Sequence, residues 1–338
     1  MAFPNVQIIV PRVLFAVLFM VAASATVVVA QDDDVVRTNI NLVQLNVGVV
    51  DRQGRAITSL NRNDFAVYED GVKQSIQYFE PAQAPFSLVL LLDMSGSTIN
   101  FRDQLKLASQ RFLDALAPED RVSVVQFNAK VKSLTSFSTD REKTAYAIQI
   151  ATGSGETYFY EALSYALKEL EKEGKRRKAI VVLTDGLDTH LRNEDRRTVA
   201  KATTDAEALA AIKPQNSTAL NSVLAAADRQ GVTIYPLALP SGDPKRLPIP
   251  GPDITGIYTA ARTRMQMLAE RTGGRLNEIN QLAKMAQLYR EVAADLRTLY
   301  TVGYQPSSDR PSGKWHEIKV EVTDPALIAR TRPGYFGR

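Results

Sequence analysis

A chain of 338 residues, 45% hydrophobic and 23% charged, is long enough for one large domain plus a smaller one and carries no low-complexity tract. Its net charge of +4 is scattered; the densest basic run, Lys172-Glu173-Gly174-Lys175-Arg176-Arg177-Lys178, closes a helical pattern just ahead of a strand pattern, where cations suit a helix C-terminus, so no nucleic-acid partner is implied. The absence of cysteine excludes disulfides, thiolate zinc sites and thiol nucleophiles, and two histidines, His190 and His316, leave little for a multi-histidine metal centre or a Ser-His-Asp triad.

At the N-terminus, Arg12 precedes an apolar stretch from Val13 to Ala30, and Gln31-Asp32-Asp33-Asp34 follows at once. Val28-Val29-Ala30 places small residues where a signal peptidase reads them, so residues 1–30 are expected to be a signal peptide. About 18 apolar residues would also just span a bilayer, so an uncleaved anchor is the competing reading and the one route to a membrane. Either way the rest of the chain is expected to be exported, periplasmic or extracellular.

Residues 36–82 read as a small β segment. Val43, Leu45, Val47 and Val49 alternate with Gln44, Asn46 and Gly48; Asp51-Arg52-Gln53-Gly54 is a turn; Glu69-Asp70-Gly71 reads as a hairpin between two further alternating runs. Pro81 to Pro85 looks like a linker. The region 84–299 has a different texture. Leu88-Val89-Leu90-Leu91-Leu92 is continuously apolar, as in a parallel strand buried on both faces. A helix holding Ala108, Phe112 and Leu116 follows, then a strand from Val122 to Phe127. Thr139 and Glu142 have capping-box spacing ahead of a helix through Ala151. A helix carrying Leu163 and Leu167 leads to a strand from Ala179 to Leu183. Residues 191–215 are polar and read as an irregular excursion with some helix. A helix over Ala219–Arg229, a strand over Val232–Leu239, a loop from Pro240 to Pro252, a helix over 259–272, a short strand at 275–277 and a long helix over 280–298 complete the alternation. Such alternation predicts an α/β, Rossmann-like domain: a mostly parallel sheet with helices on both faces. Residues 300–338 return to β texture, through Tyr300–Tyr304, the alternating His316, Ile318, Val320 and Val322, and Arg330–Phe336. Neither flanking β segment is large enough to stand alone, so the two are expected to pair into one β-sandwich-like domain interrupted by the α/β domain.

The chemistry lies where the two most apolar strands end. Asp93-Met94-Ser95-Gly96-Ser97 follows the first, and Thr184-Asp185-Gly186 follows the other. Open α/β sheets bind ligands at the carboxyl ends of their strands. Two carboxylates and several hydroxyls delivered there form an all-oxygen cluster of charge −2, which calls for a hard cation: Mg²⁺, with Mn²⁺ or Ca²⁺ as alternatives. A capped turn would account for Asp93 to Ser97 alone, but not for Asp185 arriving at the same edge.

This pattern, with Thr157 inside Gly153-Ser154-Gly155-Glu156-Thr157, resembles the metal-ion-dependent adhesion site of von Willebrand factor A domains and integrin inserted domains. The resemblance implies that Ser95, Ser97 and Thr157 contact the metal through hydroxyls, that Asp93 and Asp185 act mostly through bound water, and that a partner's Glu or Asp completes the octahedron. Phe65-Ala66-Val67-Tyr68-Glu69-Asp70-Gly71 ahead of the domain, and Gly303-Tyr304 with Arg332-Pro333-Gly334-Tyr335-Phe336 behind it, look like the bacterial exported "VWFA-related" proteins. One departure is Glu156, where a second glycine is common; it is expected to face solvent.

The implied role is an exported adhesion or protein-binding module without a catalytic residue. A metal-rigidified structural or assembly protein of the cell envelope is the alternative. A Mg²⁺-dependent phosphohydrolase would want an acid two positions after Asp93, where Ser95 stands. Asp188 and His190 could suggest a base, but a loop histidine more often faces solvent.

Overall fold

The computed structural model describes residues 42–243, 251–279, 281, 284–306 and 313–337, all within the compact unit that runs from Asn41 to Arg338. The expected signal peptide, residues 36–41 of the N-terminal β segment and residues 280, 282 and 283 of the helix expected over 280–298 lie outside the described residues.

Four strands open the described chain: β1 (Val43–Val50), β2 (Phe65–Glu69), β3 (Val72–Gln74) and β4 (Ile76–Glu80). Asp70 and Gly71 link β2 to β3 with φ of 50° and 79°, the paired positive dihedrals of the two-residue turn whose twist matches antiparallel strands.

The central sheet comprises β5 (Phe86–Asp93), β6 (Arg121–Phe127), β7 (Val131–Ser138), β8 (Arg177–Thr184), β9 (Val232–Ala238) and β10 (Asn277–Glu278), in the order β10-β9-β8-β5-β6-β7. All pairings are parallel except β6 with β7. Every residue of β5 and β8 is buried, which is why both read as unbroken apolar runs. The edge strand β7 went unread because its positions are only half-buried and Lys132, Ser133 and Ser136 interrupt any alternation.

Helices cover both faces. On one, Leu88, Leu90 and Leu92 pack against α1 (Arg102–Asp114), α2 (Arg141–Ile150) and α8 (Met285–Leu296) through Phe112, Ile148 and Tyr289. On the other, Val89 and Leu91 meet α3 (Phe159–Glu171), α6 (Thr218–Gln230) and α7 (Pro252–Thr272) through Leu163, Leu224 and Leu268. The span 191–215, read as an irregular excursion with some helix, is more regular than that. It holds α4 (Thr189–Val199) and α5 (Asp205–Ala211), whose Val199 and Ala208 pack with Ile257 and Ala260 of α7 as an added layer. Two boundaries also differ. Asp140, not Thr139, caps α2 by accepting from Lys143 N–H, and α7 begins at Pro252, where a first-turn proline sacrifices no helical hydrogen bond.

After α8 come β11 (Leu299–Tyr304), β12 (Trp315–Val322), β13 (Ile328–Arg330) and β14 (Gly334–Phe336). They pair with the opening strands: β13-β1-β11-β4 forms one sheet and β14-β12-β2-β3 another. Leu45, Val47, Tyr300 and Val302 from the first sheet share a core with Val67, Ile318 and Tyr335 from the second. Thus sequence positions about 250 residues apart complete one another's sheets, each too small alone. Among the described residues no helix is long and apolar enough to cross a membrane.

Candidate metal centre

The chain lays down β5, β6 and β7 toward one edge of the central sheet and then returns to place β8 on the other side of β5. The β5–β8 gap is therefore the point where strand order reverses, and the loops leaving the two strands diverge to open a crevice. Asp93 ends β5 and Asp185 follows β8, so both carboxylates arrive at this point, fully buried.

Each carboxylate is held by neutral donors. Asp93 Oδ1 accepts the Ser95 N–H at 3.0 Å and Oδ2 accepts the Thr184 hydroxyl at 2.7 Å. Asp185 Oδ1 accepts the Leu187 N–H at 3.1 Å, and the Ser97 hydroxyl also bonds the Asp185 side chain. Burial raises the Asp93 carboxyl well above its ordinary value and repulsion from Asp185 adds to it, while the bonds from Ser95 and Thr184 pull the other way. Asp185 is likewise raised by burial, opposed by the Ser97 and Leu187 hydrogen bonds and, through space, by Arg192 and Arg262.

Ser95 is buried and Ser97 exposed, and their hydroxyl oxygens lie 3.1 Å apart, so the Gly96 turn does bring both to one point. Thr157 joins this group through its loop. Gly96 N–H donates to Gly155 O at 2.9 Å, and Thr157 exchanges two hydrogen bonds with Thr189 at the start of α4. Thr157 itself is buried, 7% exposed. Glu156 is exposed and accepts from the Tyr158 hydroxyl at 2.8 Å.

Four residues of this neighbourhood escaped the sequence reading. Thr184 orients Asp93. Arg102 donates from one guanidinium nitrogen to the carbonyls of Met94, Ser95 and Gly153. Thr189 pins the Thr157 loop. Gly242 lies so close to Asp185 O that an added Cβ would sit 2.2 Å from it. Three of them act on backbone atoms, which leave no residue-type signature; the only legible hint was Thr184 preceding Asp185. Asp188 caps α4 through the N–H groups of His190 and Leu191, while His190 is exposed and stacks on Tyr158 at 4.8 Å.

The donor set fits a hard divalent cation. Two neighbouring buried carboxylates with no ion pair among the described residues are a costly arrangement that a cation relieves. Among the described residues no three His, Cys, Asp or Glu side chains gather as a metal cluster, so a cation here would rest on hydroxyls in front of two carboxylates. Oxygen-only donors suit Mg²⁺, Mn²⁺ or Ca²⁺ over softer ions.

A family model described as "von Willebrand factor type A domain" matches residues 88–187, a stretch that begins inside β5, ends just beyond Asp185 and contains all five residues singled out from the sequence. The chain carries a von Willebrand factor type A domain. Among curated proteins, the voltage-dependent calcium channel subunit alpha-2/delta-2 of Homo sapiens is 28% identical over 127 residues, covering 34% of this chain and 11% of that protein. The chain thus spans only about a tenth of the length of the curated relatives it matches. Among solved structures, a von Willebrand factor type A protein from Catenulispora acidiphila is 12% identical with a TM-score of 0.47, covering 88% of this chain and 74% of that one. Proximal thread matrix protein 1 from the mussel byssus, whose structure is described as having a zinc-occupied MIDAS motif, is 14% identical with a TM-score of 0.44, covering 68% and 49%.

Proposed function

We propose that this von Willebrand factor type A domain is a binding module of an exported protein and not a catalyst. In this reading Ser95, Ser97 and Thr157 present hydroxyls to Mg²⁺ (or Mn²⁺ or Ca²⁺), Asp93 and Asp185 stand behind them, and a Glu or Asp carboxylate of a protein partner takes the outward position. The observation that carries it is the pair of buried carboxylates at the β5–β8 gap, whose hydrogen bonds come from hydroxyls and backbone amides.

A bound divalent ion supplies the electrophilic coordination position for the partner. The protein's own groups set its strength. Hydroxyl oxygens are neutral, so they neutralise little of the ion's charge and leave it attractive to an anion. The carboxylates contribute the charge that retains the ion, yet Thr184, Ser95 and Leu187 hold part of their lone pairs. His190 stacked on Tyr158 and Asp188 engaged as a helix cap leave neither poised as a general base, which supports binding over hydrolysis. Export is supported by the segment Val13–Ala30.

The test is co-purification from cell-envelope extracts in Mg²⁺ or EDTA, with wild type beside Ser95→Ala/Ser97→Ala. A partner retained by wild type in Mg²⁺ and lost in the other three conditions is expected. The same partner set in all four would defeat the reading.

A further inference from the structure

Ser95 and Ser97 stand on the loop after β5, and Thr157 stands on the loop between α2 and α3. A single cation can be shared only if these loops keep a fixed separation, and a direct backbone bond between them, Gly96 N–H to Gly155 O, is a thin restraint. We infer that Arg102 is the clamp that sets this separation, a positioning residue for the metal centre. The inference rests on the metal reading above and adds the side chain on which its geometry depends.

Arg102 is the first residue of α1, half-buried, and its Nη2 lies 2.6 Å from Gly153 O, 3.0 Å from Met94 O and 3.1 Å from Ser95 O. That nitrogen carries two hydrogens for three carbonyls, so one hydrogen is shared, and the charge on the guanidinium strengthens each bond. Two of the acceptors belong to the Ser95–Ser97 loop and the third to the Thr157 loop. The loops also approach as closely as their backbones allow: a Cβ on Gly153 would sit 2.8 Å from Met94 O and 2.9 Å from Asn128 Nδ2. Asn128 Nδ2 in turn donates to Ser154 O at 2.8 Å. Arg102 therefore stands at the contact between the two loops and ties carbonyls of both to one nitrogen, although Ser95 O also accepts the Thr98 hydroxyl at 3.0 Å. Lysine cannot replace it, because an ammonium lacks the planar spread of donors and its stem places the charge differently.

Supporting partners of metal ligands typically contribute roughly 10- to 100-fold to affinity. Mg²⁺ demands near-ideal octahedral distances whereas Ca²⁺ tolerates looser and larger cages. Loss of the clamp is thus expected to fall more heavily on Mg²⁺ than on Ca²⁺, a selectivity change that general destabilisation would not produce.

The experiment measures Mg²⁺ and Ca²⁺ affinity by calorimetry for the full chain as wild type, Arg102→Ala, Arg102→Lys and Ser95→Ala/Ser97→Ala, and the amide exchange rate of Gly96 in EDTA. Expected are a roughly 10- to 100-fold loss of Mg²⁺ affinity in Arg102→Ala, a smaller loss for Ca²⁺, faster Gly96 exchange, and a partial loss in Arg102→Lys. Because Arg102→Lys keeps the charge, its loss assigns the effect to geometry; should Arg102→Ala fail to fold, this variant carries the test. Mg²⁺ affinity within twofold of wild type in both variants would overturn the inference, as would equal losses for both ions with unchanged Gly96 exchange. Wild type indifferent to Mg²⁺ and matching Ser95→Ala/Ser97→Ala would instead refute the metal reading. The clamp then rests on the exchange arm alone: acceleration in Arg102→Ala supports it, and an unchanged rate refutes it.

Discussion

At the joint with the sandwich, Asp228 near the end of α6 lies at the amino edge of the parallel strands; at the rim, Asp93 and Asp185 lie at the carboxyl edge. All three carboxylates are buried. Asp228 meets Arg332 at 2.8 Å and Arg271 at 3.5 Å, and those arginines are themselves engaged, Arg332 with Gln44 O at 3.2 Å and Arg271 over the Trp315 ring at 4.5 Å. Burial raises the Asp228 carboxyl, and Arg332 and then Arg271 draw it back. Asp93 and Asp185 have hydroxyl and amide donors instead. A joint that must never open is closed by the chain's own countercharge, whereas the rim is left with a deficit that an external cation can fill.

The comparison breaks first at the joint. Arg332→Ala leaves the Asp228 carboxylate with Arg271, at 3.5 Å, as its remaining ion-pair partner, and losses from breaking such a buried pair run up to about 3–5 kcal/mol. Urea unfolding should show a loss of that size, equal in Mg²⁺ and in EDTA; a loss below about 1 kcal/mol would mean the joint is not closed by charge. At the rim the sign reverses. Asp93→Asn keeps an acceptor for the Ser95 N–H while removing one of two repelling charges, so stability in EDTA should hold or rise. What disappears is the stabilisation by Mg²⁺, about 2.7 kcal/mol for wild type at a hundredfold excess over Kd. An Asp93→Asn protein as unstable in EDTA as Arg332→Ala would erase the contrast. A smaller effect is expected from Gly153→Ala, whose methyl must push apart the two loops; overpacking of this kind costs about 1–3 kcal/mol, and thermal melts should show it together with a weaker Mg²⁺ response.

The same contrast explains what the sequence could reveal. Asp93, Ser95, Ser97 and Asp185 were legible because each follows a strand buried on both faces, and unbroken runs such as Leu88–Leu92 mark those strands unmistakably. Thr157 was legible only through the family pattern, since its loop follows a helix. Arg102, Thr189 and Gly242 were not legible, because their partners are carbonyls and amides, identical at every position. The joint was equally silent: Asp228, Arg271 and Arg332 are far apart in sequence, and although Arg332 opens the Arg332–Phe336 segment quoted for the resemblance, nothing there joins the three. In the fold, only "some helix" was legible across α4 and α5, because they pack on α7 and not on the sheet, through residues as small as Ala208 and Ala260.

The faintest expected effect lies in the sandwich, where charge is neither sealed nor awaiting a ligand. Asp70 accepts the Glu317 N–H at 2.9 Å and lies 2.8 Å from His316 Nδ1. The Glu317 bond chiefly, with help from His316, holds the Asp70 carboxyl below its ordinary value of 3.8. A carboxyl depressed on folding stabilises the protein above its unfolded value, and that contribution fades as pH falls through the folded one. The window therefore lies below 3.8. Asp70→Asn keeps the turn, since asparagine also tolerates a φ of 50°, but cannot titrate. Wild type should exceed Asp70→Asn by less than about 1 kcal/mol near neutral pH, because solvent screens the exposed Asp70 carboxylate even though His316 is buried. The gap should narrow toward about pH 3. A gap constant across that range would show that Asp70 matters for the shape of the turn and not for its charge.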